Sequence, residues 1–402
     1  MPPAESPIRA RYTRHDPRGA FPRRAGGAGI EANRLAMYWR PIIDLGSCPF
    51  PAIRMRLIRG LDDGLWFSRL GVPGLRRQVL RHAGLDDYDC PDPTALAEEK
   101  QSPRWRSLVA GIRRFDELGD DRRAALVLHL AQLSFSDYAV ALAGAVEPTG
   151  EPERDAYAYH VARVRSRLPG RMAATVPLFE RLAATAATPR LVVQGCFQVI
   201  GNTVVSGGDL ALARRHEQRA RAAMRPAGGW HDHLVLSRLH RAFAMLRGAE
   251  GDHEGRRAEL REARAHNDRL MAEPLDELVA LEDRAHLADI AITGGLTDPA
   301  VTPARMRELA HELATLDPYC VQSRLVVGDA YAALHDYGEA ARWYAAAGEL
   351  GTGDGAVGWY RAGQCHALAG RPREAAEAMG RCLDLDTTAV EPREYLLKEE
   401  LT

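Results

Sequence analysis

Trp230-His231-Asp232-His233, with His240 seven residues further on, is the stretch of this sequence best equipped to hold a metal. Two imidazoles flanking a carboxylate, with a third nearby, are donors that a divalent ion takes. The spacing works against it. Residues two apart on a helix point away from each other, so His231 and His233 converge only in an extended loop. Gly228 and Gly229 come immediately before, and an acid just after such a break suits a helix start. The stretch therefore reads as the beginning of a helix with Asp232 in its first turn. No metal or other cofactor is expected.

The remaining chemical motifs are incomplete. His311-Glu312 opens like a zinc-protease helix, but Thr315 stands where the second histidine is required. GxxxxGK[ST] and GxSxG are both absent. Cys48 and Cys90 sit in loop-like sequence, and nothing adjacent supplies a base for a thiolate nucleophile. Phe67–Gly84 is similar to a helix-turn-helix: Leu70-Gly71-Val72 makes the turn, and Arg76, Arg77 and Arg81 could meet phosphates. Pro73 replaces the polar cap, however, and Arg77 occupies a position that needs an apolar core residue. An ordinary helical corner with a solvated arginine face accounts for the segment. The balance leans away from an enzyme, though nothing excludes one.

Composition sets the frame. The chain has 402 residues, of which 46% are hydrophobic and 27% charged, which is globular. Its formal net charge of -1 favours neither nucleic acid nor an acidic partner. Lys100 and Lys398 are the only lysines among 53 basic residues, as codon usage in a GC-rich bacterial genome would produce. Cys48, Cys90, Cys196, Cys320, Cys365 and Cys382 lie far apart, which reads as reduced and mostly buried thiols. With no apolar signal region and no long apolar run, the expected address is the cytoplasm, with no membrane span.

The elements are helical throughout. Residues 1–30 carry six arginines, Gly and Pro clusters, and only Glu5 and Asp16 as acids, so they read as a basic flexible arm. Residues 31–150 form a mostly helical region of unknown role. Helical spacing appears at Ile53, Leu57 and Ile58, at Leu75, Val79 and Leu80, and at Leu108, Ile112, Phe115 and Leu118. Asp86–Pro93 reads as a loop.

The C-terminal third repeats. Gly328 maps to Gly363, Glu339 to Glu374, Ala340 to Ala375, Ala341 to Ala376 and Leu350 to Leu385, all 35 residues apart. Small residues at 328, 340, 363 and 375 would let two helices approach closely. Tyr331, Tyr337, Tyr344, Trp359 and Met379 would fill the remaining space, and Gly370 would close a helix in the left-handed conformation.

This pattern resembles the tetratricopeptide repeat family, through Gly328, Tyr331, Tyr337, Ala340, Tyr344 and Ala347, then Trp359, Gly363, Gly370, Ala375 and Leu385. The resemblance implies an all-α solenoid of stacked antiparallel hairpins with a concave groove. Residues 321–386 match well as two units, and 151–320 as degenerate ones. One weak copy has Gly201, Gly208, Leu210, Ala213 and Ala220, with Glu217 where a bulky residue is expected. Another has Ala244, Gly251, His253, Leu260 and Ala263. There Arg256 replaces the small residue at the crossing, so that hairpin is expected to splay. The loop around Gly294–Pro303 is too long for the pattern. Within 387–402, a final helix over Pro392–Leu401 would cap the array.

In this register the groove-facing candidates are Gln198 and Asn202, Arg238 and Arg241, Leu325 and Asp329, and Tyr360 and Gln364. The amides and arginines could hold a carboxylate or an acidic peptide, although the lysines of the family's carboxylate-clamping members are missing. The implied function is a scaffold that holds a peptide or protein partner, with self-association open. Two alternatives remain. One is an enzyme or accessory of peptide-modifying, natural-product biosynthesis, with its active site in residues 1–150. The other is a transcriptional regulator that uses residues 67–84.

Overall fold

The computed structural model describes residues 7–9, 11–13, 92–95, 97–100 and 103–399, with breaks at 133–135, 167, 169–170, 274–276, 297, 299, 317–320 and 350–354. The helix-turn-helix-like segment 67–84, Cys48, Cys90, Cys320 and the helical spacings between 31 and 91 lie outside these residues.

The described chain is all-helical, and it contains no strand. The helices are α1 (Pro103–Arg113), α2 (Asp120–Gln132), α3 (Ser136–Ala143), α4 (Pro152–Ser166), α5 (Met172–Thr185), α6 (Pro189–Val205), α7 (Leu210–Ala223) and α8 (Trp230–Ala249). They continue as α9 (His253–Met271), α10 (Glu277–Gly295), α11 (Pro303–Leu316), α12 (Val321–Ala333), α13 (Tyr337–Glu349), α14 (Gly355–Leu368), α15 (Pro372–Leu385) and α16 (Val390–Glu399). No described helix is long and apolar enough to cross a membrane.

Packing is sequential. Each helix packs on its successor, and α2–α4, α6–α8, α10–α12 and α12–α14 pack one step further on. That pattern is a solenoid, in which stacking neighbours bury a core that no hairpin could bury alone. The core accordingly runs along the array as a succession of apolar clusters rather than as one centre.

The 35-residue period is visible as geometry. A Cβ on Gly328 would sit 2.4 Å from the Tyr344 ring, and one on Gly363 would sit 2.8 Å from Met379. The two contacts are the same contact, one period apart. Ala340 and Ala375 are both fully buried. The corners repeat as well. After α8, α12 and α14 the second residue beyond the helix is left-handed: Gly251 at φ 76°, His335 at φ 56° and Gly370 at φ 69°. A helix-starting residue follows, and Asp252 and Asp336 there accept from the amides of Gly255 and Glu339.

The degenerate units differ in detail. The corner after α6 is one residue longer: Gly207, rather than Gly208, is left-handed, at φ 67°, and Asp209 caps α7. Gly201 has open space at its Cβ, while Gly195 makes the close crossing, with its Cβ site 2.9 Å from the Ala183 backbone nitrogen. The hairpin expected to splay does not. The pair α8 and α9 packs more extensively than any other described pair. Arg256 is accommodated because its side chain runs across Gly248 of α8, where a Cβ would sit 3.4 Å from its Cδ, and donates to the Thr293 carbonyl on α10 at 3.2 Å.

Candidate functional site

Two arrangements concentrate polar chemistry. The first is a cradle between α14 and α16. It holds residues 8–9 and 11–13, which the sequence assigns to a flexible arm. Ile8 and Tyr12 are buried in the core of the last two hairpins, and Tyr12 meets Tyr360 edge-on with ring centroids 5.5 Å apart. The Gln364 amide grips one residue twice: the Arg9 N–H donates to Oε1 at 2.8 Å, and Nε2 donates to the Arg9 carbonyl at 3.0 Å. At the other end the Thr13 N–H donates to the Glu391 carboxylate at 2.7 Å, its hydroxyl donates at 2.9 Å, and the Val390 N–H donates to the Thr13 carbonyl at 2.8 Å. The Tyr12 hydroxyl donates to the buried Asp386 at 2.7 Å.

Electrostatics agree with the geometry. Burial disfavours the charged Glu391 carboxylate, but the Thr13 amide and hydroxyl and the nearby Arg9 outweigh it and hold the carboxyl below its usual range. Burial, reinforced by Glu391, pushes the Tyr360 phenol up to about 12, so it stays neutral.

The second arrangement is a buried chain of charge through α7, α8 and α9. Glu217, at the position where the repeat pattern calls for a bulky residue, is only 6% exposed. It accepts from Arg221 at 2.8 Å and from Arg247 at 2.5 Å. Arg221 also donates to Glu259 at 2.6 Å and lies over the Phe243 ring. Glu259 bonds His240 at 2.7 Å, His240 stacks on His266, and His266 Nδ1 lies 3.0 Å from His233 Nδ1. Two nitrogens in contact at that distance need one donor and one acceptor, so the pair shares a single proton. Burial, with His240, His233 and Arg269 close by, lowers His266 to about 4. The chain ends at a cavity of about 500 Å³.

The groove candidates divide between several environments. Gln198 and Asn202 point back along the array, donating to Tyr159 and Thr175 at 3.4 Å each. Arg241 points forward to α10, reaching Asp289 at 2.5 Å and His286 Nδ1 at 2.9 Å. Arg238 shares α8 with it. Leu325 is buried, and Asp329 accepts from Tyr344 at 2.6 Å and from Arg361 at 2.7 Å. Tyr360 and Gln364 alone meet a peptide segment. The Trp230–His233 stretch starts α8, with Asp232 in its first turn. Cys196, Cys365 and Cys382 are buried free thiols, and burial pushes Cys196 and Cys365 up to about 12.

Sequence reasoning missed the cradle's other half, Asp386, Val390 and Glu391, and also the histidine pair. Glu217 was the available signal for the charged chain, as a departure from the repeat pattern.

The sequence matches no protein-family profile, and no curated protein proves similar to it.

Proposed function

We propose that the protein is a binding scaffold of tetratricopeptide type that holds extended polypeptide segments, with the cradle between α14 and α16 as a peptide site. One observation carries this reading. The cradle grips the segment chiefly through main-chain atoms, at Arg9 and Thr13, and among its described residues takes two side chains, Ile8 and Tyr12, into the core. Main-chain bonds supply affinity and the two pockets supply selectivity, as in other modes of peptide capture. Any segment with an apolar residue followed four positions later by tyrosine fits this chemistry, including one from another copy of the chain. The repeated contact of Gly328 with Tyr344 and of Gly363 with Met379 supports the tetratricopeptide assignment.

The test is a competition. A labelled peptide of residues 6–15 is titrated against the full chain carrying Ile8→Ala and Tyr12→Ala, which weakens the resident segment. Saturable binding is expected, weakened tenfold or more by adding Gln364→Ala, and weaker in the wild-type chain, whose own segment competes. Absence of peptide binding in the doubly substituted chain would overturn the reading.

A further inference from the structure

The cavity at the end of the charged chain is lined by Met224, Leu236, Arg225, Arg269, His233 and His266, with Pro226 and Ala227 completing it. Its volume, about 500 Å³, is that of a small-molecule site. Its walls are of two kinds. Met224, Leu236, Pro226 and Ala227 are apolar, and the four polar side chains are two guanidiniums and two imidazoles. No carboxylate lines it. Arg225 uses Nη1 on the carbonyls of Ala222 and Met224, at 3.1 and 2.9 Å, which fixes its guanidinium at the end of α7. His266 is 8% exposed and is held by contact with His233 and stacking on His240. Apolar walls with two guanidiniums, and no carboxylate among the described lining residues, select an anion with an apolar body.

We propose that this cavity binds a carboxylate borne on an apolar group, with Arg225 and Arg269 pairing with the carboxylate, the His233 and His266 rings forming the wall beside it, and Met224 and Leu236 against the apolar part. The carboxylate belongs either to a free organic acid or to a peptide C-terminus. The site lies on α7–α9 and is independent of the cradle on α14–α16, so either can fail without the other.

Isothermal titration of the full chain with 4-phenylbutyrate, and in parallel with its neutral amide, tests the idea. A dipeptide ending in phenylalanine, with free or amidated C-terminus, forms the second arm. Saturable carboxylate binding is expected, with each neutral partner at least tenfold weaker. The tighter arm identifies the source of the carboxylate. Arg225→Gln and Arg269→Gln are both at exposed positions, so neither threatens folding. Each should weaken carboxylate binding about tenfold, and together they should abolish it. Equal binding of acid and amide, insensitivity to the double substitution, or no binding of any probe at 10 mM would each overturn the proposal.

Discussion

His335 and Gly370 occupy the same corner of successive hairpins, yet only one is glycine. A side chain in the left-handed region is strained by its own Cβ. His335→Gly should therefore raise stability by about 1 kcal/mol, read as a higher urea midpoint with an unchanged slope. Loss of the His335 bond to the Tyr337 hydroxyl, at 3.0 Å, offsets part of the gain. The two crossing glycines differ in the opposite way. Gly328→Ala meets a packed tyrosine ring and should destabilise by about 2–3 kcal/mol. Gly363→Ala meets the flexible end of Met379 and should destabilise by about 1 kcal/mol. Thermal unfolding of the two variants side by side checks the order. A result in which Gly363→Ala is the worse of the two would contradict the packing described here.

Helices and hairpins carry the next set of consequences. Glu217 stands between Arg221 and Arg247 inside the α7–α8–α9 layer. Glu217→Gln removes the carboxylate that the two guanidiniums share, leaving Arg221 with Glu259 and Arg247 with Glu250, and should destabilise by about 1–2 kcal/mol. Acid acts on the same layer. His266 binds its proton at about 4 in the folded chain, below the ordinary 6.5. The unfolded chain thus binds more protons between those values, and stability falls as pH drops from 6.5 toward 4. Burial, with Arg241 and Arg238 alongside, lowers His286 well below its ordinary value and adds a loss of the same sign. His266→Gln should flatten this part of the stability–pH curve, and an unchanged slope would remove His266 from the account. At this scale much was legible in sequence. The 35-residue register marks Gly328 and Gly363 as close-crossing residues and Gly370 as a helix end, while the side chain that each crossing glycine meets is visible only in the structure. Arg256 misled, because the pattern records the size of a side chain and not that a flexible one can lie across a glycine, here Gly248, on the facing helix. The histidine pair was illegible for another reason: His233 and His266 lie on different helices, and nothing local in either announces the other.

Across the whole molecule, the array and the segment at residues 8–13 obey different rules. Helix-to-helix contacts join neighbours, and their signature is periodic, so a sequence reports them. The bonds of Arg9 to Gln364 and of Thr13 to Glu391 span 355 and 378 residues and repeat nothing. Two apolar side chains among arginines look like a solvated arm because the surface that receives them is built elsewhere. Tyr12→Phe should leave the buried Asp386 short of one donor and loosen the segment by about 1–3 kcal/mol. The hairpins need not unfold for the segment to leave. Limited proteolysis after Arg9 or Arg11 should therefore speed up in the variant, while the thermal midpoint of the array moves little.

The cradle also has a consequence in time. A stack of hairpins folds by local contacts and can grow along its length as it is made. Ile8 and Tyr12 leave the ribosome well before their receptor, α14 to α16, is synthesised. Throughout translation the segment has no docking site of its own, and Ile8 and Tyr12 are available to other chains. Closure of the cradle then has to follow the stacking of α14 to α16, a long-range event superimposed on a short-range fold. In refolding it should appear as a late phase that Tyr12→Ala removes and substitutions at Gly328 do not.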